Sequence, residues 1–247
     1  MSNRWKVALY ASFLIAVWLS AGPAHAMHVS EGILPLPWAA LWFALSIPFV
    51  FLGLRDLRVR QEREPYFKPL VALVGAAVFV ISCMPIPVPI AGTCSHPCGT
   101  GMAAILIGPM LSVVVASVAL VLQAIFLGHG GLTTLGANLF AAGVAGSFVG
   151  YGAFKLARLL GGPWVVAAFL AGLLADWAAY ATTSLTLAAA LHGDGSFWTM
   201  FGTILLAFVP TQLPLGILEG FITAGAVAFV RSRRPEFLGL AEEGGVR

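Results

Sequence analysis

The near absence of charge along the middle of this chain constrains its fold more than any other feature. Between residues 69 and 230 the charged side chains are Lys155, Arg158, Asp176, Asp194 and Glu219. Charged residues make up 9% of the chain and hydrophobic ones 60%, whereas a soluble domain is about 25% charged. Such a chain needs lipid as its solvent, and helices satisfy their own backbone there. The sequence therefore predicts an all-α, polytopic integral membrane protein.

The first 26 residues have the layout of a secretory signal peptide. Arg4 and Lys6 precede an apolar run over residues 7–19, and small residues end the segment at Ala26. An uncleaved first membrane helix is the alternative, but a span needs about 20 apolar residues. We expect cleavage after Ala26, which makes Met27 the N-terminus on the outer face. Losing both bases lowers the formal charge from +3 to +1, which does not favour nucleic-acid binding.

Hydropathy divides the mature domain, residues 27–247, into six apolar stretches. Basic residues cluster in residues 55–68 and 231–234, so both segments are predicted to be cytoplasmic. An outer N-terminus and a cytoplasmic C-terminus need an odd number of crossings, and we expect about seven transmembrane helices. The preferred division is in the last stretch, at Pro210 and Pro214, and the alternative is at Gly108-Pro109. The six stretches are residues 38–54, 69–84, 102–127, 138–160, 164–191 and 197–230.

A metal-chelating N-terminus follows from the predicted cleavage, because it places a histidine second. The amine of Met27, the deprotonated amide nitrogen of His28 and its Nδ1 atom can close fused chelate rings on one ion. A fourth nitrogen would complete a square plane, which suits Ni(II), Cu(II) or low-spin Co(II) better than tetrahedral Zn(II). His96, in a glycine-rich polar loop at residues 92–101, is the predicted fourth ligand.

Two cysteines flank His96 and leave other interpretations open. Cys94 and Cys98 are compatible with a disulfide, with two small buried residues, or with a membrane thiol or metal oxidoreductase. Thiolate ligands hold these metals tightly and would hinder release from a transport site. We therefore expect the cysteines not to be ligands of this site.

Three motifs resemble the CbiM family, the substrate-binding membrane components of energy-coupling-factor cobalt transporters, with the NikM nickel proteins as nearest relatives. They are residues 27–35 after the cleavage site, residues 92–97, and residues 123–138. The resemblance covers essentially the whole mature chain. It implies that Met27, His28 and His96 bind the metal, and Cys98 departs from the family pattern.

The resemblance also implies function and partners. The expected function is capture of cobalt(II) for an ATP-driven importer in the cytoplasmic membrane that supplies cobalamin biosynthesis, with nickel(II) as the alternative cargo. The expected partners are a small CbiN-like membrane subunit, a CbiQ-like coupling protein and a CbiO-like ATPase. The sequence has no P-loop or zinc-protease motif, so we expect no catalysis and no resident cofactor in this chain.

Several polar residues are candidates for supporting the metal ligands. Those predicted to surround them are Glu31, Ser95, Thr133 and Asn138, although capping of helix ends explains the last two equally well. His129 has two interpretations, and packing within its glycine-rich turn explains it as well as a role in relaying the metal ion does. Asp176 and Glu219 are intramembrane acids, which mark either an ion path or pairing with a hydroxyl or amide such as Thr182 or Gln212, and we favour the pairing.

Overall fold

The computed structural model describes residues 25–26, 28–84, 86–87 and 93–238. Seven helices account for most of this part of the chain, so the all-α prediction is confirmed. Residues 1–24, nearly all of the predicted signal peptide, lie outside the described residues. The helices are α1 Leu36–Arg63, α2 Phe67–Ser82, α3 Thr100–Ile107, α4 Pro109–Leu127, α5 Leu135–Leu159, α6 Trp164–Leu191 and α7 Phe197–Arg233.

Five of these helices, α1 and α4 to α7, are long and apolar enough to cross a membrane. Helix α2 is apolar but shorter, at 16 residues. Helix α3 has only eight residues, or about 12 Å of rise. The protein is therefore a multi-pass membrane protein. The number of helices in the described residues is the expected seven, but α3 alone is too short to cross a membrane.

The preferred position for the extra division was wrong. Helix α7 runs unbroken for 37 residues through Pro210 and Pro214, and the division falls instead at Gly108-Pro109, between α3 and α4. Gly108 has a φ of 93°, which a residue with a side chain rarely adopts. The residues before the two α7 prolines, Val209 and Leu213, carry bulky side chains, and membrane helices tolerate proline without ending.

Three short strands form a small sheet beside the helices. Strand β3, Thr93–Ser95, lies between β1, His25–Ala26, and β2, Ile86–Pro87. The β1–β3 pairing is parallel, with Ala26 opposite Cys94, and the β2–β3 pairing is antiparallel. This sheet brings the chain just before Met27 beside the strand that leads to His96.

Glycines allow the helices to pack with their backbones in contact. A Cβ at Gly150 in α5 would lie 2.9 Å from the carbonyl oxygen of Ala171 in α6 and 3.1 Å from Cα of Gly101 in α3. A Cβ at Gly136, in the first turn of α5, would lie 2.5 Å from the backbone nitrogen of Phe43 in α1. Helix α5 is therefore held tightly against α1, α3 and α6, and the loop before it is fixed in place.

Replacing Gly136 with alanine should destabilise the protein, because its Cβ would meet backbone rather than a movable side chain. We expect a cost of about 1–3 kcal/mol, measured as a lower thermal unfolding temperature in detergent. The control is Gly152→Ala in the same helix, where a Cβ meets nothing within 4 Å. That variant should be neutral or slightly stabilised, and equal losses in both variants would contradict the close-packing argument.

Candidate metal centre

The structure brings together the two histidines singled out in the sequence. The ring centroids of His28 and His96 are 4.8 Å apart, with the rings edge to face. Both side chains are buried, at 5% and 1% exposure. They line a cavity of about 20 Å³ with Gln123 and Cys98 among its other walls. The space suits a single ion rather than an organic ligand.

Gln123, which the sequence analysis did not assign to the site, orients His28. The Gln123 side-chain nitrogen donates to the carbonyl and the hydroxyl of Ser82, both at 2.9 Å. Its Oε1 atom therefore faces His28 Nε2 at 3.2 Å and accepts a hydrogen bond from the N–H at that position. With the proton on Nε2, the lone pair of His28 is on Nδ1. Gln123 thus selects the tautomer that a chelate through Nδ1 requires.

Asn138 and Thr134 hold the backbone that follows His28. The Val29 N–H donates to Asn138 Oδ1 at 2.8 Å, while the Val29 carbonyl accepts from the Thr134 hydroxyl at 2.6 Å and from Asn138 Nδ2 at 3.1 Å. All the polar atoms of this buried peptide are thereby paired. The N-terminal segment is docked by side chains of α5 and the loop before it.

His96 presents a nitrogen without a hydrogen-bond partner among the described residues. Its Nδ1 atom is 3.3 Å from the Pro97 carbonyl oxygen, to which an N–H at that position donates. Its Nε2 atom is buried and unpaired, a costly state for a polar atom. An electron-pair acceptor such as a metal ion would satisfy it.

Glu219 of α7 fixes the loop that carries His96. Its carboxylate oxygens accept from the backbone N–H groups of Cys98 at 2.7 Å and Gly99 at 2.8 Å. The ligand loop is therefore anchored to the last helix two residues beyond the ligand. Glu219 does have a buried polar partner, in line with the favoured interpretation of this acid.

Burial keeps both histidines uncharged. Their side chains are 5% and 1% exposed, and burial away from water disfavours the charged form of an imidazole. The neutral imidazole is the form that binds metals. At neutral pH the two rings are thus already in the ligand state.

His129 and Glu31 lie at the edge of this centre. The His129 ring is stacked parallel to that of His96, with centroids 6.0 Å apart. The exposed Glu31 carboxylate accepts from the Thr133 N–H at 3.1 Å, and the hydrogen bonds from Thr133 lower the pKa of Glu31. Glu31 and Thr133 therefore join the N-terminal segment to the loop before α5.

Two of the predicted site residues are not placed by the structure. Met27, the predicted amine ligand, lies outside the described residues, and of Ser95 only the backbone is described, in β3. Of the residues on either side of it in sequence, Ala26 pairs with Cys94 and the His28 ring contacts that of His96. The ligand assignments stay predictions.

Residues 28–237 match the family described as CbiM, cobalt uptake substrate-specific transmembrane region. The chain belongs to the CbiM family. It is 58% identical to "Cobalt transport protein CbiM" of Geobacter sulfurreducens, with 97% of this chain and 71% of that protein covered. It is 61% identical to the protein of the same name from Sorangium cellulosum, with 86% and 94% covered.

A solved structure supports the same assignment. The fold is similar to the crystal structure of a truncated transition metal transporter, with a TM-score of 0.72, 26% identity, and 83% of this chain and 98% of that chain covered. The relatives are named as cobalt transport proteins and the solved structure as a transition metal transporter. The predicted family is confirmed.

The contact between Glu31 and Thr133 should depend on pH. Docking lowers the pKa of Glu31, so the ionised form stabilises the contact, and that stabilisation is lost as the pH falls through the lowered pKa. We expect Glu31→Gln to weaken protection of the Thr133 amide against hydrogen exchange at pH 7. Once the pH is well below this lowered pKa, wild type and variant should exchange alike, and a difference that persists there would contradict a charge effect.

Proposed function

We propose that this chain is the substrate-capturing component of an ATP-driven, energy-coupling-factor importer of cobalt(II). The observation that carries the proposal is the pair of buried, uncharged histidines with an unpaired Nε2 atom on His96. Family membership supports cobalt as the cargo. The imported cobalt would supply cobalamin biosynthesis.

The proposed ligands are four nitrogens in a plane. They are the Met27 amine, the His28 amide nitrogen and Nδ1, and His96 Nε2. The hydrogen bond from His28 Nε2 to Gln123 supports this set, because it leaves Nδ1 for the metal. Four nitrogens in this geometry bind Ni(II) at least as well as Co(II), so nickel is the competing cargo that a titration has to include.

The proposed orientation has the mature N-terminus outside and the C-terminus in the cytoplasm. In support, basic residues from separate segments lie at one end of the helices. The guanidinium carbons of Arg158 and Arg231 lie 4.8 Å and 5.2 Å from the ring centre of Trp164, and one groove is lined by Tyr66 and Arg234. Positive charge favours the cytoplasmic side. The metal centre lies at the end of α4 that is farther from this basic end of the protein.

Energy for transport would come from partner chains. We propose a CbiO-like ATPase, a CbiQ-like coupling protein and a small CbiN-like membrane subunit as those partners, because the sequence of this chain has no P-loop. The chain itself would capture and release the ion without catalysis. Its assembly would be in the cytoplasmic membrane.

Replacing His96 with alanine should abolish specific cobalt binding at this centre, because it removes the nitrogen that no protein group pairs. We expect affinity to fall by more than about 100-fold, beyond the loss typical of a supporting residue, as measured by calorimetric titration with Co(II) and Ni(II). His129→Ala is the matched control and should retain most of the affinity. Unchanged binding in His96→Ala would refute the ligand assignment.

Signal cleavage should be required for binding, because only cleavage turns the Met27 nitrogen from an amide into an amine. The lone pair of a protonated amide is delocalised and is a poor donor, so binding through it would require the loss of a further proton, in addition to the proton that the His28 amide gives up. We expect Ala26→Trp, which blocks processing, to yield protein that binds little cobalt, while Met27→Leu is cleaved and binds normally. Mass spectrometry of the N-terminus accompanies the metal analysis. Full cobalt binding by folded, uncleaved protein would defeat the amine-ligand mechanism.

A further inference from the structure

A second group of potential metal ligands lies beside the histidine centre. Cys98, Asp176 and Glu219 are all buried, and the sulfur of Cys98 and one oxygen from each carboxylate lie within 4.8 Å of one another. Cys98 also lines the small cavity that His28 and His96 share. The group therefore adjoins the histidine centre but uses sulfur and oxygen donors.

Asp176 is the member of the group whose carboxylate lacks hydrogen-bond partners among the described residues. Its side chain is fully buried, at 0% exposure, and neither carboxylate oxygen has a hydrogen-bond partner among the described residues. Glu219 differs, since its oxygens accept backbone N–H bonds from the His96 loop. Burying an acid without a partner in a membrane protein is costly and usually marks a function.

The packing of α6 against α7 brings Asp176 close to Glu219. Gly172 of α6 lets the backbones meet, since a Cβ there would lie 2.6 Å from the Glu219 carbonyl oxygen. Across from it, a Cβ at Gly216 of α7 would lie 3.2 Å from Asp176 Oδ2. Two glycines thus let the helix backbones approach closely and bring the carboxylates of Asp176 and Glu219 together.

The donors define the class of ligand. One thiol sulfur and two carboxylate oxygens suit a divalent first-row transition metal, whereas Mg²⁺ and Ca²⁺ take oxygen donors alone. The thiol gives up its proton when it binds such an ion. A single sulfur among harder oxygens also holds the metal less tightly than a set of thiolates would, which is compatible with onward release.

We propose that Cys98, Asp176 and Glu219 form a second divalent-metal site, which receives the ion after the histidine centre. The inference rests on the proposed function for the identity of the cargo. His96 and Cys98 are two residues apart in one loop, so an ion passes from nitrogen to sulfur and oxygen donors over a short path. The loop is fixed by Glu219, which contributes to both the anchor and the second site.

The experiment counts cobalt ions per purified, cleaved chain after equilibration with Co(II) chloride and records thiolate-to-cobalt charge-transfer absorption. We expect about two ions in the wild type and about one in His96→Ala, with the absorption retained. Asp176→Asn should bind one ion and lose most of the absorption, and Cys98→Ser should lose all of it. Asp194→Asn, the same substitution in an exposed loop, is the matched control and should bind two.

The outcomes separate the two proposals. One ion in the wild type and none in His96→Ala would overturn the second site while leaving the histidine centre intact. Two ions in His96→Ala would instead overturn the histidine ligand. A second ion that survives Asp176→Asn, or that gives no sulfur absorption, would also overturn the second site. The variant His28→Ala removes a histidine ligand from a different segment and should also bind about one ion with the absorption retained. It serves as a second test if His96→Ala disturbs the loop that carries Cys98.

Discussion

Backbone that is not helical must find its hydrogen-bond partners within the protein when it lies at membrane depth, and the whole candidate site depends on that requirement. Two such segments carry the histidines. Asn138 and Thr134 pair the peptide groups of Val29, and Glu219 pairs those of Cys98 and Gly99. The helices thus position the ligands through a few polar side chains, and the apolar packing between helices fixes where those side chains stand.

The two amides that organise the N-terminal segment occupy similar places in their helices. Gln123 is the first residue of a π-helical turn, Gln123–Leu127, that ends α4. Asn138 directly precedes a second π-helical stretch, Leu139–Ala145, within α5. The wider helix changes the direction in which nearby side chains point, and such turns are frequent at functional sites. The π-helical segments therefore lie next to Gln123 and Asn138, the two side chains that hold the N-terminal segment.

The fold class could be predicted from hydropathy. The proximity of His28 and His96 could be predicted from chelate chemistry, because an N-terminal Met-His chelate needs one more nitrogen ligand. Sequence reasoning missed Gln123, although a polar residue in an otherwise apolar stretch is a signal of function. It also placed the helix break at Pro210 and Pro214 rather than at Gly108, since proline alone was weighed without the positive φ that glycine permits. The grouping of Cys98 with Asp176 and Glu219 depends on packing between distant helices, which no spacing in the sequence reveals.

The shortness of α3 has an electrical consequence. The helix rises about 12 Å across a hydrocarbon core of about 30 Å, and His96 lies four residues before its first residue. In the orientation and with the ligands proposed above, a divalent ion bound at His96 has already passed through part of the membrane's electric field. Moving one elementary charge across the whole membrane changes its energy by about 2.3 kcal/mol per 100 mV. Part of this energy applies to entry of the ion into the site and the rest to its departure. Occupancy of the site by a doubly charged ion therefore depends on the membrane voltage.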